Sequence, residues 1–247
     1  MIIQERDRAA LRRLFSERLV DPVRLLVFSQ HQSSLTLPVH MTCQWCKDTV
    51  ALARELAELS DKITVDVHDF VAEQELAATH LVDKIPAVLL GAGDVPRLKY
   101  YGIPAGYEFA SVVENIVDVS KGSTSLSTTT KERLRKLSTD VHIQVFVTPT
   151  CPFCPRATRM AHQFALESPH IRADAVEASE FPFLAQKYHV MSVPKVVMNE
   201  TTSFEGAIPE PAFLLHVLKA ADNLTPEEQV KHDALQHHDR GRLEGNS

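Results

Sequence analysis

Two Cys-x-x-Cys pairs contain every cysteine of the 247-residue chain: "CQWC" at Cys43 to Cys46 and "CPFC" at Cys151 to Cys154. Each pair is followed at the same distance by a proline: Cys43 and Pro86 are 43 residues apart, and so are Cys151 and Pro194. Both landmarks therefore recur with a common offset of 108 residues. A third pair of segments, "YYGIPAGYEF" (Tyr100 to Phe109) and "FEGAIPEPAF" (Phe204 to Phe213), aligns with Gly102 and Gly206 in corresponding places. Agreement at three separated points marks an internal duplication, so the fold must be one that a single chain can build twice.

The two copies share one order of patterns. In the second, the apolar β-rich run "VHIQVFV" leads into Cys151, and Ala157, Met160, Ala161 and Phe164 follow at helical spacing. "IRADAV", "FPFLAQKYH", "KVVM", "TSFEG" and "PEPAFLLHVLKAAD" then read as strand, helix, two hairpin strands and a closing helix. "VRLLVF", "CKDTVALARELAEL", "KITVDV", "EQELAATHLV", "AVLL", "RLKYYG" and "GYEFASVVENIVDV" repeat that order in the first copy. The order β-α-β-α-β-β-α predicts an α/β fold of two tandem units, each a mixed β-sheet flanked by helices. Every residue from Ser123 to Thr130 except Leu126 is Ser or Thr, which reads as a linker. The expected units are residues 1–120, opened by a polar helix from about Asp7 to Leu19, and 131–224, with 121–130 as linker. Residues 225–247 read as a polar tail, helical at first and then frayed.

Composition bounds the function. Hydrophobic content of 44% and charged content of 23% fit a soluble globular protein with a substantial core. The net charge of −6 argues against a nucleic-acid partner. Arg6, Arg8, Arg12 and Arg13 are interleaved with Glu5, Asp7 and Glu17, the pattern of a solvated helix face. No run approaches the ~18 apolar residues of a membrane span, and "MIIQERDRAALRRLF" lacks the apolar stretch of a secretion signal. A cytoplasmic location without a membrane partner is expected, and there cysteine pairs serve redox chemistry more often than scaffolding.

Cysteines three apart at a helix start set both sulfurs on one edge of the first turn, near disulfide-forming distance. Unpaired N–H groups and the positive end of the helix dipole converge on the first of them and favour its thiolate. Cys43 and Cys151 are the expected attacking residues, Cys46 and Cys154 the resolving ones, and each pair is expected to close on itself. Pro152 suits the first helical position. Zinc ribbons separate their two pairs by roughly 15–20 residues. Here a whole repeat intervenes between Cys46 and Cys151, so no metal site is expected. Cis bonds at Ile85–Pro86 and Val193–Pro194 would present the backbone of Ile85 and Val193 beside the sulfurs, where an extended substrate segment can pair. Trp45 and Phe153 share one motif position and offer substrates an apolar contact.

Cys-x-x-Cys at a strand–helix junction with a distant strand-start proline resembles the thioredoxin fold, and "CPFC" is similar to the glutaredoxin variant. With "VFVTPTCPFCP", "RMAHQFA", "VMSVPK" and "GIPAGYEFA", the tandem chain resembles the glutaredoxin-like protein disulfide oxidoreductases of archaea and thermophilic bacteria, up to about Asp222. The resemblance implies two thioredoxin-fold units and thiol–disulfide oxidoreductase activity on disulfide-containing proteins. It also implies no bound cofactor, with reducing equivalents from NADPH through a thioredoxin reductase-like flavoprotein.

Two departures stand out. Phe28 lies 15 residues before Cys43, whereas Phe146 lies 5 before Cys151, so the first unit carries about ten extra residues in "SQHQSSLTLPVHMT" that are expected to hinder substrates at Cys43. The strand ahead of each motif also lacks an acidic residue, which leaves Glu177 and Asp69, near later strand ends, as candidate proton acceptors. His40 reads as a solvated loop residue that could stabilise the Cys43 thiolate, and His232, His237 and His238 as tail histidines open to adventitious metal. The competing functions are an electron-relay module that supplies a peroxiredoxin, resembling the N-terminal part of the alkyl hydroperoxide reductase flavoprotein, and a holdase or metal-binding scaffold.

Overall fold

The computed structural model describes residues 2–30, 43–91 and 96–244, and side chains as far as residue 235. His40 and most of the insert before Cys43, and the side chains of His237 and His238, lie outside the described residues.

The first copy contributes β1 (Val23–Ser29), β2 (Ile63–Asp69), β3 (Ala87–Leu90) and β4 (Leu98–Tyr101). The second contributes β5 (Val141–Val147), β6 (Ile171–Glu177), β7 (Lys195–Met198) and β8 (Thr202–Glu205). Within each copy the first two strands run parallel and the last two form an antiparallel hairpin against the first. The copies are then fused edge to edge: β4 pairs in parallel with β6, Tyr101 opposite Val176. One eight-stranded sheet results, in the order β2-β1-β3-β4-β6-β5-β7-β8.

Nine helices, counted among the described residues, cover it: α1 (Glu5–Arg18), α2 (Cys46–Ala57), α3 (Gln74–Thr79), α4 (Glu108–Lys121), α5 (Thr128–Arg135), α6 (Cys154–Glu167), α7 (Pro182–Lys187), α8 (Glu210–Ala220) and α9 (Pro226–Glu244). Successive strand side chains point to opposite faces, and the core divides accordingly. Leu25, Val27, Ile143 and Val145 pack with Phe15, Leu52, Ile116, Phe164 and Val217 on one face. Leu26, Phe28, Phe146 and Val176 pack with Ala77, Phe181 and Leu184 on the other. None of these helices is long and apolar enough to cross a membrane.

Two segments of polar composition are tied into the body of the protein. The Ser/Thr-rich stretch turns helical at Thr128, because Ser127 caps α5 by accepting the N–H of Thr130, and Leu126 and Thr130 are buried. The polar C-terminal segment forms α9, held to the body through its first half. Arg133 reaches Glu228 with Nε and Nη2 at 3.1 and 2.9 Å, and the buried His232 sets Nε2 3.3 Å from Nδ1 of His216 in α8.

Candidate active sites

Each cysteine pair sits where its copy's first strand gives way to the following helix. Both form internal disulfides, Cys43–Cys46 with Cα atoms 5.4 Å apart and Cys151–Cys154 with 5.5 Å. The helices begin at the second cysteine of each pair, with Trp45 and Phe153 at the N-cap positions. Pro152 therefore precedes the helix, and Pro155 occupies its first turn, where a missing N–H leaves no intrahelical bond unmade. The second sulfur of each pair is the deeper one: Cys46 and Cys154 are buried, and Cys43 is partly exposed. Cys151 lies nearer the surface than Cys154 but is only 7% exposed.

At the second pair the Cys154 backbone N–H donates to Cys151 Sγ at 3.1 Å, and the Val193 carbonyl oxygen lies 3.6 Å from the same sulfur. An amide of the helix N-terminus thus points at the sulfur whose thiolate it would stabilise. Beside the reduced thiol, the Val193 carbonyl is a hydrogen-bond acceptor. At the first pair, Gln30 spans the two cysteines: its N–H donates to Cys46 Sγ at 3.3 Å and its Oε1 accepts the Cys43 N–H at 3.0 Å. The Ile85–Pro86 and Val193–Pro194 bonds are both cis. Both prolines are buried, with Ile85 and Val193 partly exposed. Trp45 is 37% exposed and Phe153 61%.

The carboxylates expected near the strand ends accept backbone N–H groups. Glu177 accepts the N–H groups of Ser179 and Glu180, and Asp69 Oδ1 those of Val71 and Ala72, so both cap turns. A different carboxylate is buried beneath the Cys151 loop. Glu108, in the first turn of α4, is 3% exposed and accepts the Ser111 hydroxyl at 2.8 Å. Burial pushes its carboxyl up to about 7. It lines a cavity of about 10 Å³ with Glu177, Val147, Pro149 and Ile103, about the space of a single water. Glu108 belongs to the first copy, yet Val147 and Pro149, which line the cavity with it, lead into the second copy's Cys151. The duplication does hold the signal, since Glu108 aligns with Ala212, but it is the packing of the copies, β4 on β6 and α4 on α6, that brings the residue to the other copy's Cys151 loop.

The loop between β4 and α4 makes that crossing. Ile103 donates its N–H to Glu180 Oε1 at 2.7 Å, and Tyr107 its N–H to the Pro149 carbonyl at 2.9 Å, two residues before Cys151. Gly106 lies between them at φ +59°, and a Cβ there would stand 2.2 Å from the Pro149 oxygen. Only glycine permits both the conformation and the approach. The described residues include no group of three or more His, Cys, Asp or Glu side chains arranged to hold a metal ion.

Known proteins place this arrangement. A thioredoxin-domain family model matches residues 141–219. The crystal structure of a protein disulfide oxidoreductase from Aeropyrum pernix is 34% identical, covers 90% of this chain and 95% of its own, and superposes with a TM-score of 0.81. The alkyl hydroperoxide reductase component AhpF from Enterococcus faecalis is 26% identical over 88% of this chain and 100% of that one, with a TM-score of 0.78. The corresponding reductase component of Xanthomonas campestris pv. phaseoli is 26% identical over 62% of this chain. The chain spans little more than a quarter of the length of such curated relatives, 27% for the Xanthomonas protein. With both Cys-x-x-Cys pairs, both cis prolines and two thioredoxin-fold units in one sheet, the chain belongs to the protein disulfide oxidoreductase family.

Proposed function

We propose that the protein catalyses dithiol–disulfide exchange with protein substrates, using Cys43 and Cys151 as nucleophiles and Cys46 and Cys154 as resolving thiols. In the reducing direction the Cys151 thiolate attacks one substrate sulfur. A Cys151–substrate disulfide forms as the substrate disulfide breaks, and the leaving sulfur departs as a thiolate and takes up a proton. Cys154, once deprotonated, attacks Cys151 Sγ, closes the internal disulfide and releases the second substrate thiolate. Two electrons have then passed from the cysteine pair to the substrate, and an external dithiol restores the pair. The observation that carries this reading is the Cys151 sulfur, with the Cys154 N–H at 3.1 Å on one side and the Val193 carbonyl at 3.6 Å on the other. An extended substrate strand entering beside Pro194 would pair with that backbone. Trp45 and Phe153 supply apolar contact, and Ile85 and Pro86 repeat the groove at the first site.

Electrons are expected from NADPH by way of a thioredoxin reductase-like flavoprotein. The likeness to the alkyl hydroperoxide reductase component favours a second reading, in which the same cysteines hand electrons to a peroxiredoxin. Insulin reduction with dithiothreitol tests the first. The protein should raise the rate well above that of dithiothreitol alone, and a variant with all four cysteines replaced by serine should not. Peroxide-dependent NADPH oxidation with a flavoprotein and a peroxiredoxin tests the second. Turnover there without insulin reduction would replace the first reading by the second.

A further inference from the structure

We infer that Tyr107, a first-copy residue, is a substrate-contact side chain of the second cysteine pair and selects disulfides flanked by apolar residues; this deepens the activity proposed above and rests on it. Its backbone is fixed at the site by the bond to the Pro149 carbonyl and by the close approach at Gly106. Its side chain is nonetheless 54% exposed, so the loop is anchored while its aromatic ring faces outward. Two second-copy residues on the segments that hold Cys151 are exposed in the same way. Phe153, between Cys151 and Cys154, is 61% exposed. Met191, two residues before the Val193 carbonyl that touches Cys151 Sγ, is 89% exposed.

Each of these three side chains is within two residues of Cys151, or of a residue whose backbone touches Cys151 or its loop. Their common surroundings are a sulfur that reacts with cysteines of other chains. A polypeptide whose cysteine lies among apolar side chains, as in a partly unfolded protein, fits such a collar. Aromatic and methionine side chains offer it contact area with little need for defined geometry.

The first pair has no counterpart of this aromatic. Tyr107 aligns with Pro211 in the second copy. Moreover β2, which corresponds to β6, forms an edge of the sheet, so no further copy lends it a loop among the described residues. The effect of Tyr107 is therefore confined to one site, and this makes it testable.

The test uses the full chain with dithiothreitol as electron source and two peptides that share one disulfide ring. Leu and Phe flank the cysteines in one peptide, Ser and Gly in the other. In a Cys43→Ser/Cys46→Ser background, Tyr107→Ala should lower the ratio of kcat/KM for the apolar over the polar peptide by about five- to tenfold, through KM, and Tyr107→Phe should retain it. Met191→Ser, which leaves the Tyr107 loop untouched, should lower the same ratio. In a Cys151→Ser/Cys154→Ser background Tyr107→Ala should leave the ratio as it was. An unchanged ratio at the second site, an equal loss on both peptides with Met191→Ser silent, or the same change at both sites would overturn the inference. Failure of the unaltered protein to reduce either peptide would instead overturn the exchange activity itself.

Discussion

Asn115 in α4 sets its amide Nδ2 2.6 Å from Nδ1 of His162 in α6, a contact between the two copies in which neither residue is exposed to solvent. The same Nδ2 lies 2.6 Å from the Tyr100 hydroxyl, which meets Ser111 Oγ at 3.0 Å, and Ser111 in turn bonds Glu108. A chain of buried polar groups thus runs along the interface between the copies. A second set of bonds joins the same two helices, with Arg159 and Gln163 of α6 both reaching Asp118 of α4 at 2.9 Å. Unpairing any member would leave a neighbour buried without its partner, so the network fixes how the copies meet.

That burial has an acid cost. Desolvation lowers His162 to about 4, and His216, beneath α9, is also lowered to about 4 by burial and by His232. Both rings bind a proton more weakly folded than unfolded. Their contribution to stability is therefore present above about pH 6.5 and is lost as pH falls toward 4. Each ring accounts for about 3 kcal/mol at the acid end. Urea unfolding between pH 7 and 4 should show this decline, and His162→Gln should flatten it. A stability that holds level down to pH 4.5 would contradict the assignment.

Glu108 acts in the opposite sense. Its carboxyl is raised by burial to about 7, so the folded state binds its proton more tightly than the unfolded state does. Its stabilising proton is fully held below about pH 4.5 and is lost as pH rises through 7. Glu108→Gln should stabilise the protein at pH 8, by at most about 3 kcal/mol. It should also slow exchange at the second site at that pH, because a buried carboxylate titrating near neutrality is suited to accept the proton of a buried resolving thiol. Gain of stability without loss of second-site rate would leave Glu108 a purely structural residue.

Gly106→Ala probes the loop that joins the copies. The new methyl would meet the Pro149 oxygen in a backbone conformation that alanine adopts only at a cost of about 1–2 kcal/mol. Together with the steric displacement, the expected loss is about 2–4 kcal/mol. Site-resolved assays should show the Cys151 pair impaired more than the Cys43 pair. Equal impairment would mean that the loop matters only for global stability.

Much of the fold is legible in the sequence because the duplication repeats every landmark. The two cysteine pairs, the two prolines and the order of the strands along the chain follow from spacing and periodicity. What escapes lies where the copies meet. β4 reads as the last strand of one unit, and nothing in "RLKYYG" says that it will pair with β6. Glu108 and Tyr107 consequently look like ordinary residues at the start of a helix, although both meet the loop that leads into the other copy's Cys151. Pro152 lies ahead of the helix rather than in its first turn because the chain bends from Cys151 to Phe153 before α6 begins, and periodicity does not register so short a bend.

The two sites should divide substrates by size. Cys43, the proposed attacking sulfur of the first pair, is partly exposed, whereas Cys151 is 7% exposed, with the exposed side chains of Phe153, Tyr107 and Met191 on the segments that hold it. Exposure favours small disulfides, which need only a nearly linear approach to the thiolate. Protein disulfides bring their flanking chain, and binding that chain raises the rate where a groove and apolar contacts receive it. Cys151→Ser should therefore remove most insulin reduction, while Cys43→Ser leaves the larger share. With a small disulfide such as hydroxyethyl disulfide, Cys43→Ser should cost at least as much as Cys151→Ser. Rates measured for both substrates on both variants give four numbers, and the expected pattern is a crossover. Parallel losses on the two substrates would show that intrinsic thiol reactivity sets the division and that the collar around Cys151 contributes nothing to it.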